Sequence, residues 1–183
     1  MALDRQLNDD EKRLAQLNAD RARLKNLLVN IKRQAENLVN TQTGRPNLAP
    51  GGFVRQKGRL KHPVGGRLTL GYGQRSQRSG MISQGVLYSA AKGSPVNAIF
   101  DGIVIFSDFL RGYGLLAIID HGDGYLSLYG HHDQLHISVG DFVKAGQTIG
   151  VAGTTGGLKS AGLYFKIRLD SRPTDPRPWL GSL

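Results

Sequence analysis

Short segments that alternate apolar and larger polar side chains recur through the chain after residue 52, and glycine turns separate them. In residues 163–168, for example, Leu, Phe and Ile take the odd positions, and Tyr, Lys and Arg take the even positions. This period of two is typical of a strand with one face in the core. The chain has 25 glycines, which suit tight turns between strands better than a helix bundle. The pattern therefore predicts a mostly β, antiparallel domain.

Residues 1–40 follow a heptad pattern instead. Positions spaced by alternating threes and fours from Leu3 to Leu38 are apolar, except for Asp10 and Arg21. A pattern sustained over about five heptads predicts a long α-helix of the coiled-coil type. Such a helix either packs on its own domain as a strut or binds a partner, and the pattern does not choose between the two.

The helix is predicted to end before residues 41–52, which contain two prolines and three glycines and have no periodicity. Proline and glycine interrupt helices, so we expect this segment to be a linker. The predicted organisation is therefore a helix over residues 1–40, a linker over 41–52 and a β domain over 53–183.

Two motifs in the β domain resemble those of the LytM, or lysostaphin-like, zinc metallopeptidases. One strand of that family reads His-x-His-Phe-Glu-Ile, and here Gly162 and Tyr164 stand at the two histidine positions. The family's other zinc ligands lie in a His-x-Gly-x-Asp segment just before a Gly-Thr-Pro-Val turn. That turn corresponds to residues 93–96 of this chain, which read Gly-Ser-Pro-Val.

The second motif keeps its glycine as Gly85, but Ser83 stands at the histidine position and Leu87 at the aspartate position. A catalytic zinc ion needs about three His, Asp, Glu or Cys ligands and one open position for water. Leucine has no donor atom, serine is a poor neutral ligand, and a lone tyrosine cannot hold the ion. The resemblance therefore implies a degenerate LytM domain, related to lipoyl-type barrels, that has no metal or other cofactor and is not an enzyme.

Degenerate LytM domains of this kind occur in murein hydrolase activators, and the resemblance implies that role. It implies a noncatalytic periplasmic activator of N-acetylmuramoyl-L-alanine amidases, which promotes the splitting of septal peptidoglycan in cell division. In such activators a coiled-coil region precedes the domain and binds a membrane transporter-like division complex. That region also includes a helix that can cover the working groove of the domain.

The resemblance places five residues on the amidase-binding groove: Gln84, Leu87, Tyr113, Tyr164 and Arg168. Tyrosine and arginine are frequent interface anchors because they combine rigid contact area with hydrogen-bonding groups. For Leu87 and Tyr164 the alternative is simple core filling where the metal has been lost.

His131 lies in the sequence Leu-Tyr-Gly-His and matches the histidine that helps to activate water in active LytM peptidases. Without zinc it has nothing to activate. His131, His132 and His136 are an alternative set of metal ligands, although adjacent strand residues point to opposite faces. Ser83 has no motif of a nucleophilic serine around it.

The net charge of +10 is unevenly distributed, since no Asp or Glu lies between Asn37 and Phe100. Nine arginines and lysines fall in that interval and form a basic belt, which should attract polyanions. No helix-turn-helix, zinc finger or aromatic RNA-binding strand is visible, so we expect no nucleic-acid partner. Anionic peptidoglycan or a bilayer surface fits the belt better.

The chain has no cysteine, which excludes disulfides and thiolate metal sites. Its amino terminus lacks the apolar core of a signal peptide, so we expect the sequence to be the carboxy-terminal part of a longer secreted protein.

Two other functions remain open for this chain. One is a zinc endopeptidase that uses unrecognised ligands, and the other is a passive peptidoglycan-binding module.

Overall fold

A computed structural model describes the backbone of residues 2–39, 50–76, 80–170 and 172–182. Within the helix, side chains are described for residues 11–27, 29 and 30. Most of the predicted linker, residues 41–49, lies outside the described residues, as do the side chains of the remaining heptad positions. In the described part of the chain, no helix is both long and apolar enough to cross a membrane.

One long helix precedes ten strands in the described residues. The helix, α1, spans Ala2–Val39. The strands are β1 (Arg67–Leu70), β2 (Val86–Ser89), β3 (Pro95–Asn97), β4 (Gly102–Leu110), β5 (Gly114–Asp120), β6 (Tyr125–Leu135), β7 (Phe142–Val143), β8 (Thr148–Ala152), β9 (Gly162–Leu169) and β10 (Arg172–Thr174). Two short 3-10 helices, Val54–Gln56 and Arg177–Trp179, flank the strands.

The strands form one antiparallel sheet. Its main path runs β1-β2-β9-β6-β5-β4-β7, with β10 beside β9 and with β8 joining β3 to β6. The strands β6 and β9 pair from Tyr125 opposite Leu169 to Gly130 opposite Tyr164. The strand β2 pairs with the other edge of β9. The segments that carry the predicted motif positions therefore lie side by side on neighbouring strands.

One face of the sheet encloses the main hydrophobic core. The odd positions of residues 163–168 enter this core and are fully buried, as their alternation predicts. Phe53 helps to close the core, with its ring centroid 4.8 Å from that of Tyr125 and 5.0 Å from that of Trp179. The even positions of residues 163–168 are thereby left for the opposite face.

Helix α1 packs against the domain at a second apolar cluster. Leu24 is 2% exposed and shares this cluster with Ile105, Leu116, Ile118 and Leu128. Leu14 belongs to the same heptad pattern, but it is 44% exposed. Around Leu24 the helix thus behaves as the strut interpretation expects, whereas pairing with a second helix stays a prediction. The predicted fold class, a mostly antiparallel β domain preceded by a long helix, is confirmed.

Candidate functional site

A cavity of about 630 Å³ lies between α1 and the part of the sheet that carries β2 and β9, and we call it the groove. Six of the seven residues singled out in the sequence line it, namely Ser83, Gln84, Leu87, Tyr113, His131 and Tyr164. Arg168 does not line the groove. It lies on the same face of β9 as Tyr164 and is 5% exposed.

Tyr164 connects the predicted residues to one another. Strand pairing places it opposite Leu87 on β2. Its ring centroid is 5.9 Å from that of Tyr113 and 6.3 Å from that of His131. A Cβ atom added to Gly85 would lie 2.9 Å from the Tyr164 hydroxyl. The family glycine therefore leaves the space into which the tyrosine ring packs.

The hydroxyl of Tyr164 reaches the segment that carries the other family motif. The Ser83 side chain and the Gln84 backbone act on it and lower the pKa of the phenol, against the larger effect of burial. The Ser83 hydroxyl in turn donates to the Gly85 carbonyl oxygen at 2.8 Å. Burial raises the pKa of the Tyr164 phenol well above its usual value, so the phenol stays neutral near pH 7. A neutral phenol and an engaged serine hydroxyl are poor ligands for zinc.

Leu87, at the third ligand position of the family, and Gly162, at the other histidine position of the strand motif, do not suit a zinc ion either. Leu87 offers only aliphatic carbon. Gly162 has no side-chain donor, and a Cβ atom there would collide with the Tyr88 carbonyl oxygen, so the backbone leaves no room for a histidine. Zinc prefers nitrogen, thiolate and carboxylate ligands in tetrahedral geometry. This donor set therefore does not suit the metal of the active peptidases.

His131 is held in an uncommon backbone conformation, with φ of 69°. Its Nδ1 donates to the Thr155 carbonyl oxygen at 2.7 Å. His132 is fully buried, and burial lowers its pKa to about 4. Within the described ranges, no group of three His, Cys, Asp or Glu side chains is placed to hold a metal ion. The alternative metal set of His131, His132 and His136 is therefore not assembled.

A buried cationic site adjoins the groove at Gln84. Lys166 is 1% exposed, and its Nζ donates to the Gln84 Oε1 at 3.0 Å. Burial lowers the pKa of Lys166 to about 7, and the Arg168 and Arg21 guanidiniums add to the same effect. Burial also lowers the pKa of Arg168. The side chain of Gln84 therefore faces the buried amine of Lys166 and supplies it with a hydrogen-bond acceptor.

Helix α1 contributes Leu17, Asp20 and Arg21 to the groove wall. The Arg21 Nη2 donates to the Ile82 carbonyl oxygen at 2.7 Å. Asp20 is 6% exposed and lies against Gly112, where an added Cβ would be 3.2 Å from the Asp20 Oδ2. The helix therefore brings a second positive charge, Arg21, into the neighbourhood of Lys166.

Arg21 and Lys166 were not among the predicted site residues, although each leaves a signal in the sequence. Arg21 is one of two charged residues in an otherwise apolar heptad pattern. Lys166 stands where the family strand has glutamate. A charged residue at a position where the local pattern favours another residue type indicates that tertiary contacts determine the residue there.

A family model described as Peptidase family M23 matches residues 81–176, just over half of the chain. The chain belongs to this family. The catalytic domain of lysostaphin from Staphylococcus simulans superposes on this M23 domain with a TM-score of 0.59 at 31% identity, over 64% of this chain and 93% of that one. A putative M23 peptidase from Pseudomonas aeruginosa gives a TM-score of 0.62 at 22% identity, over 83% of this chain and 60% of that one. The predicted LytM, or lysostaphin-like, fold is confirmed.

Two relatives of this M23 chain are named as murein hydrolase activators. The murein hydrolase activator EnvC of Escherichia coli (strain K12) is 40% identical over 131 residues, which are 72% of this chain and 31% of EnvC. The murein hydrolase activator NlpD of the same strain is 39% identical over 99 residues, which are 54% of this chain and 26% of NlpD. The predicted resemblance to murein hydrolase activators is confirmed. This M23 chain spans about a third or less of the length of these curated relatives.

Proposed function

We propose that this chain is a noncatalytic murein hydrolase activator of the periplasm. Its groove binds a zinc-dependent N-acetylmuramoyl-L-alanine amidase and so promotes the splitting of septal peptidoglycan. The observation that carries the proposal is the groove, where serine, leucine and tyrosine stand at positions that do not fit a metal ion. The names of the relatives EnvC and NlpD support the same role.

Activation by binding requires no bond-breaking group in this chain. A protein that binds the open form of an amidase more tightly than the closed form shifts the amidase toward the open form. The size of this shift is limited by the difference between the two affinities. Tyr113 and Tyr164 supply the rigid aromatic area for such an interface, and Gln84, Leu87 and Arg168 complete the proposed amidase-binding set.

We also propose that α1 holds the activator in an off state. Leu17 and Arg21 of the helix line the groove, so they compete with any partner for the contacts of Tyr164. In this scheme the coiled-coil segment, residues 1–40, binds a membrane transporter-like division complex, and this binding withdraws the helix from the groove. Removal of residues 1–40 should therefore increase stimulation of the amidase at a given activator concentration.

The experiment is a dye-release assay with labelled cell walls, purified amidase and the purified chain. We expect dye release only when both proteins are present. Tyr164→Ala should abolish the stimulation, because it removes the aromatic surface at the centre of the groove. Phe109→Ala is the matched control, since Phe109 is 56% exposed and lies on β4 outside the groove wall. Thermal unfolding of each variant shows whether the domain is intact.

Arg168 needs a variant that separates its charge from its packing. Arg168→Ala should abolish stimulation, but it also empties a buried site. Arg168→Met keeps most of the volume and removes the guanidinium. Normal stimulation by the Tyr164 and Arg168 variants would contradict the groove assignment.

The same assay separates the competing functions. Dye release by the chain alone, dependent on zinc, would indicate an endopeptidase. Described members of the basic belt such as Arg55, Lys57 and Arg59 are exposed, which favours a passive peptidoglycan-binding module as the second candidate. Such a module would sediment with sacculi and leave the amidase rate unchanged.

A further inference from the structure

The amine of Lys166 is buried, and no described side chain of α1 supplies an opposite charge to it. Its described hydrogen bond goes to the neutral amide of Gln84, and the charged groups that act on it are the guanidiniums of Arg168 and Arg21. Among the described side chains of α1, Asp20 is the acidic one on the groove wall, and it is engaged elsewhere. It accepts from the Gln16 Nε2 at 3.1 Å and forms an ion pair with Arg23 at 3.7 Å.

Protonation of the Lys166 amine is costly, because the amine has lost water and the described side chains around it supply like charges and no carboxylate. The amide oxygen of Gln84 offsets only part of this cost, since a hydrogen bond to a neutral acceptor is weaker than one to a carboxylate. The positive charge of Arg21 therefore opposes the docking of α1, whereas the burial of Leu24 and the hydrogen bond from Arg21 to the Ile82 carbonyl oxygen favour it. The helix thus fits the groove in shape, but it places a cation near a site where the described residues supply no anion.

We propose that the partner segment that displaces α1 carries a carboxylate where α1 carries Arg21, and that this carboxylate pairs with Lys166. The identity of the partner as an amidase rests on the proposed function, whereas the charge preference of the groove does not. The charge of α1 at this position does not complement the groove, whereas the charge of the partner does, and this difference in affinity gives specificity. Both segments fill the groove, but the partner also forms an ion pair with Lys166.

The charge preference is tested in the chain by itself, with substitutions at position 21 of α1. Arg21→Glu and Arg21→Gln give side chains of nearly equal size that differ by one charge. Glutamine can still donate to the Ile82 carbonyl oxygen, so any tighter docking of the glutamate variant must come from the cationic site. We expect about tenfold slower hydrogen exchange of the helix amides 17–27 in Arg21→Glu than in Arg21→Gln, the usual gain of a charge-assisted hydrogen bond.

The matched control pair is Lys12→Glu and Lys12→Gln. The Lys12 side chain is exposed and lies nine residues away on the same helix, so it makes the same change in net charge away from the groove. We expect equal exchange rates in the two control variants. Equal exchange in the two Arg21 variants, or faster exchange in Arg21→Glu, would overturn the proposal.

A second comparison assigns the effect to Lys166. Lys166→Met keeps the length of the side chain and removes its charge. In this background the gain of Arg21→Glu over Arg21→Gln should disappear, because the double-mutant cycle isolates the pair. A gain that persists would assign the effect to another group and would overturn the pairing with Lys166. The exchange rates of Arg21→Glu and Arg21→Gln are compared within the Lys166→Met background, so an effect of Lys166→Met on overall stability does not alter the result.

The partner is tested by the reactivity of Lys166 toward acetic anhydride, followed by peptide mass spectrometry. Exposed Lys144 serves as the internal reference. Added amidase should lower the acetylation of Lys166 several-fold relative to Lys144, because a carboxylate both covers the amine and favours its protonated form. Protection by peptidoglycan stem peptides alone would show that the carboxylate comes from the cell wall, and would overturn a protein partner. If amidase does not bind at all, the proposed function fails, while the Arg21 comparison still decides the charge preference of the groove.

Discussion

The packing of Leu24 on the sheet holds α1 over the groove, so its loss should leave the groove uncovered. Leu24 is 2% exposed and packs among Ile105, Leu116, Ile118 and Leu128, so Leu24→Ala removes apolar contacts between α1 and the sheet. A buried leucine truncated to alanine costs about 2 to 5 kcal/mol. The lower end applies here, because the helix can shift to fill part of the space. We therefore expect docking of α1 to weaken by about 2 kcal/mol, which is about thirtyfold in the docking equilibrium.

Leu14→Ala is the control for this substitution. Leu14 lies on the same helix and in the same heptad pattern, but it is 44% exposed, so its truncation should change docking little. Hydrogen exchange of amides 17–27 measures docking directly, and the amidase concentration curve measures its consequence. Leu24→Ala should accelerate exchange and shift half-maximal stimulation to a lower activator concentration. Unchanged exchange in Leu24→Ala, or equal effects of the two variants, would refute the view that apolar burial holds the helix.

Two further predictions concern stability. Burial lowers the pKa of His121 to about 4, whereas a histidine of the unfolded chain titrates near 6.5. Protonation of the unfolded state at His121 should therefore lower the free energy of unfolding by about 2 kcal/mol between pH 7 and pH 5. The pKa of His132 is lowered to about 4 in the same way, so His132 should contribute a similar loss. Urea unfolding at both pH values measures this, and a midpoint that does not fall would contradict it. Gly162→Ala should cost about 1 to 3 kcal/mol, because its Cβ meets the Tyr88 carbonyl oxygen. Gly65→Ala, with open space around the new Cβ, should leave the thermal midpoint nearly unchanged.

The neutral state of His121 follows from an ordered chain of buried hydrogen bonds. Its Nδ1 donates to the Asp101 carbonyl oxygen at 2.7 Å, so its Nε2 accepts from the Ser127 hydroxyl at 2.6 Å. Ser127 accepts from the Tyr129 hydroxyl, which accepts from the Ile99 amide at 3.0 Å. A proton added at Nε2 would break this chain. The pH dependence therefore reports a network in the core and not the groove.

The sequence predicted the sheet well because strand alternation is a local property. The odd positions of residues 163–168 had to be buried together, and the structure buries them. The meeting of Ser83, Leu87 and Tyr164 in one cavity was predictable only through the family motifs. The residues are far apart in the chain, and pairing of β2 with β9 brings them together.

The position of α1 was not predictable from the same information. A heptad pattern identifies the apolar side of a helix, but it does not identify the surface that covers that side. Leu24 packs on the sheet of its own chain, whereas Leu14 of the same pattern stays exposed. Arg21 looked like an interruption of the pattern, and its role depends on the neighbouring Ile82 carbonyl and on the charge of Lys166. Both neighbours are tertiary contacts.

The balance between Leu24 and Arg21 decides whether the proposed switch is usable. The apparent affinity of a partner equals its intrinsic affinity multiplied by the fraction of chains in which α1 is withdrawn. Apolar burial alone would make that fraction small, and a carboxylate at position 21 would make it about tenfold smaller still. The charge of Arg21 works in the opposite direction because it lies near the like charge of Lys166, and the hydrogen bond from Arg21 to the Ile82 carbonyl oxygen offsets part of this effect. Docking of α1 is thus favourable enough for the helix to cover the groove, and weak enough for a partner that carries a carboxylate to displace it.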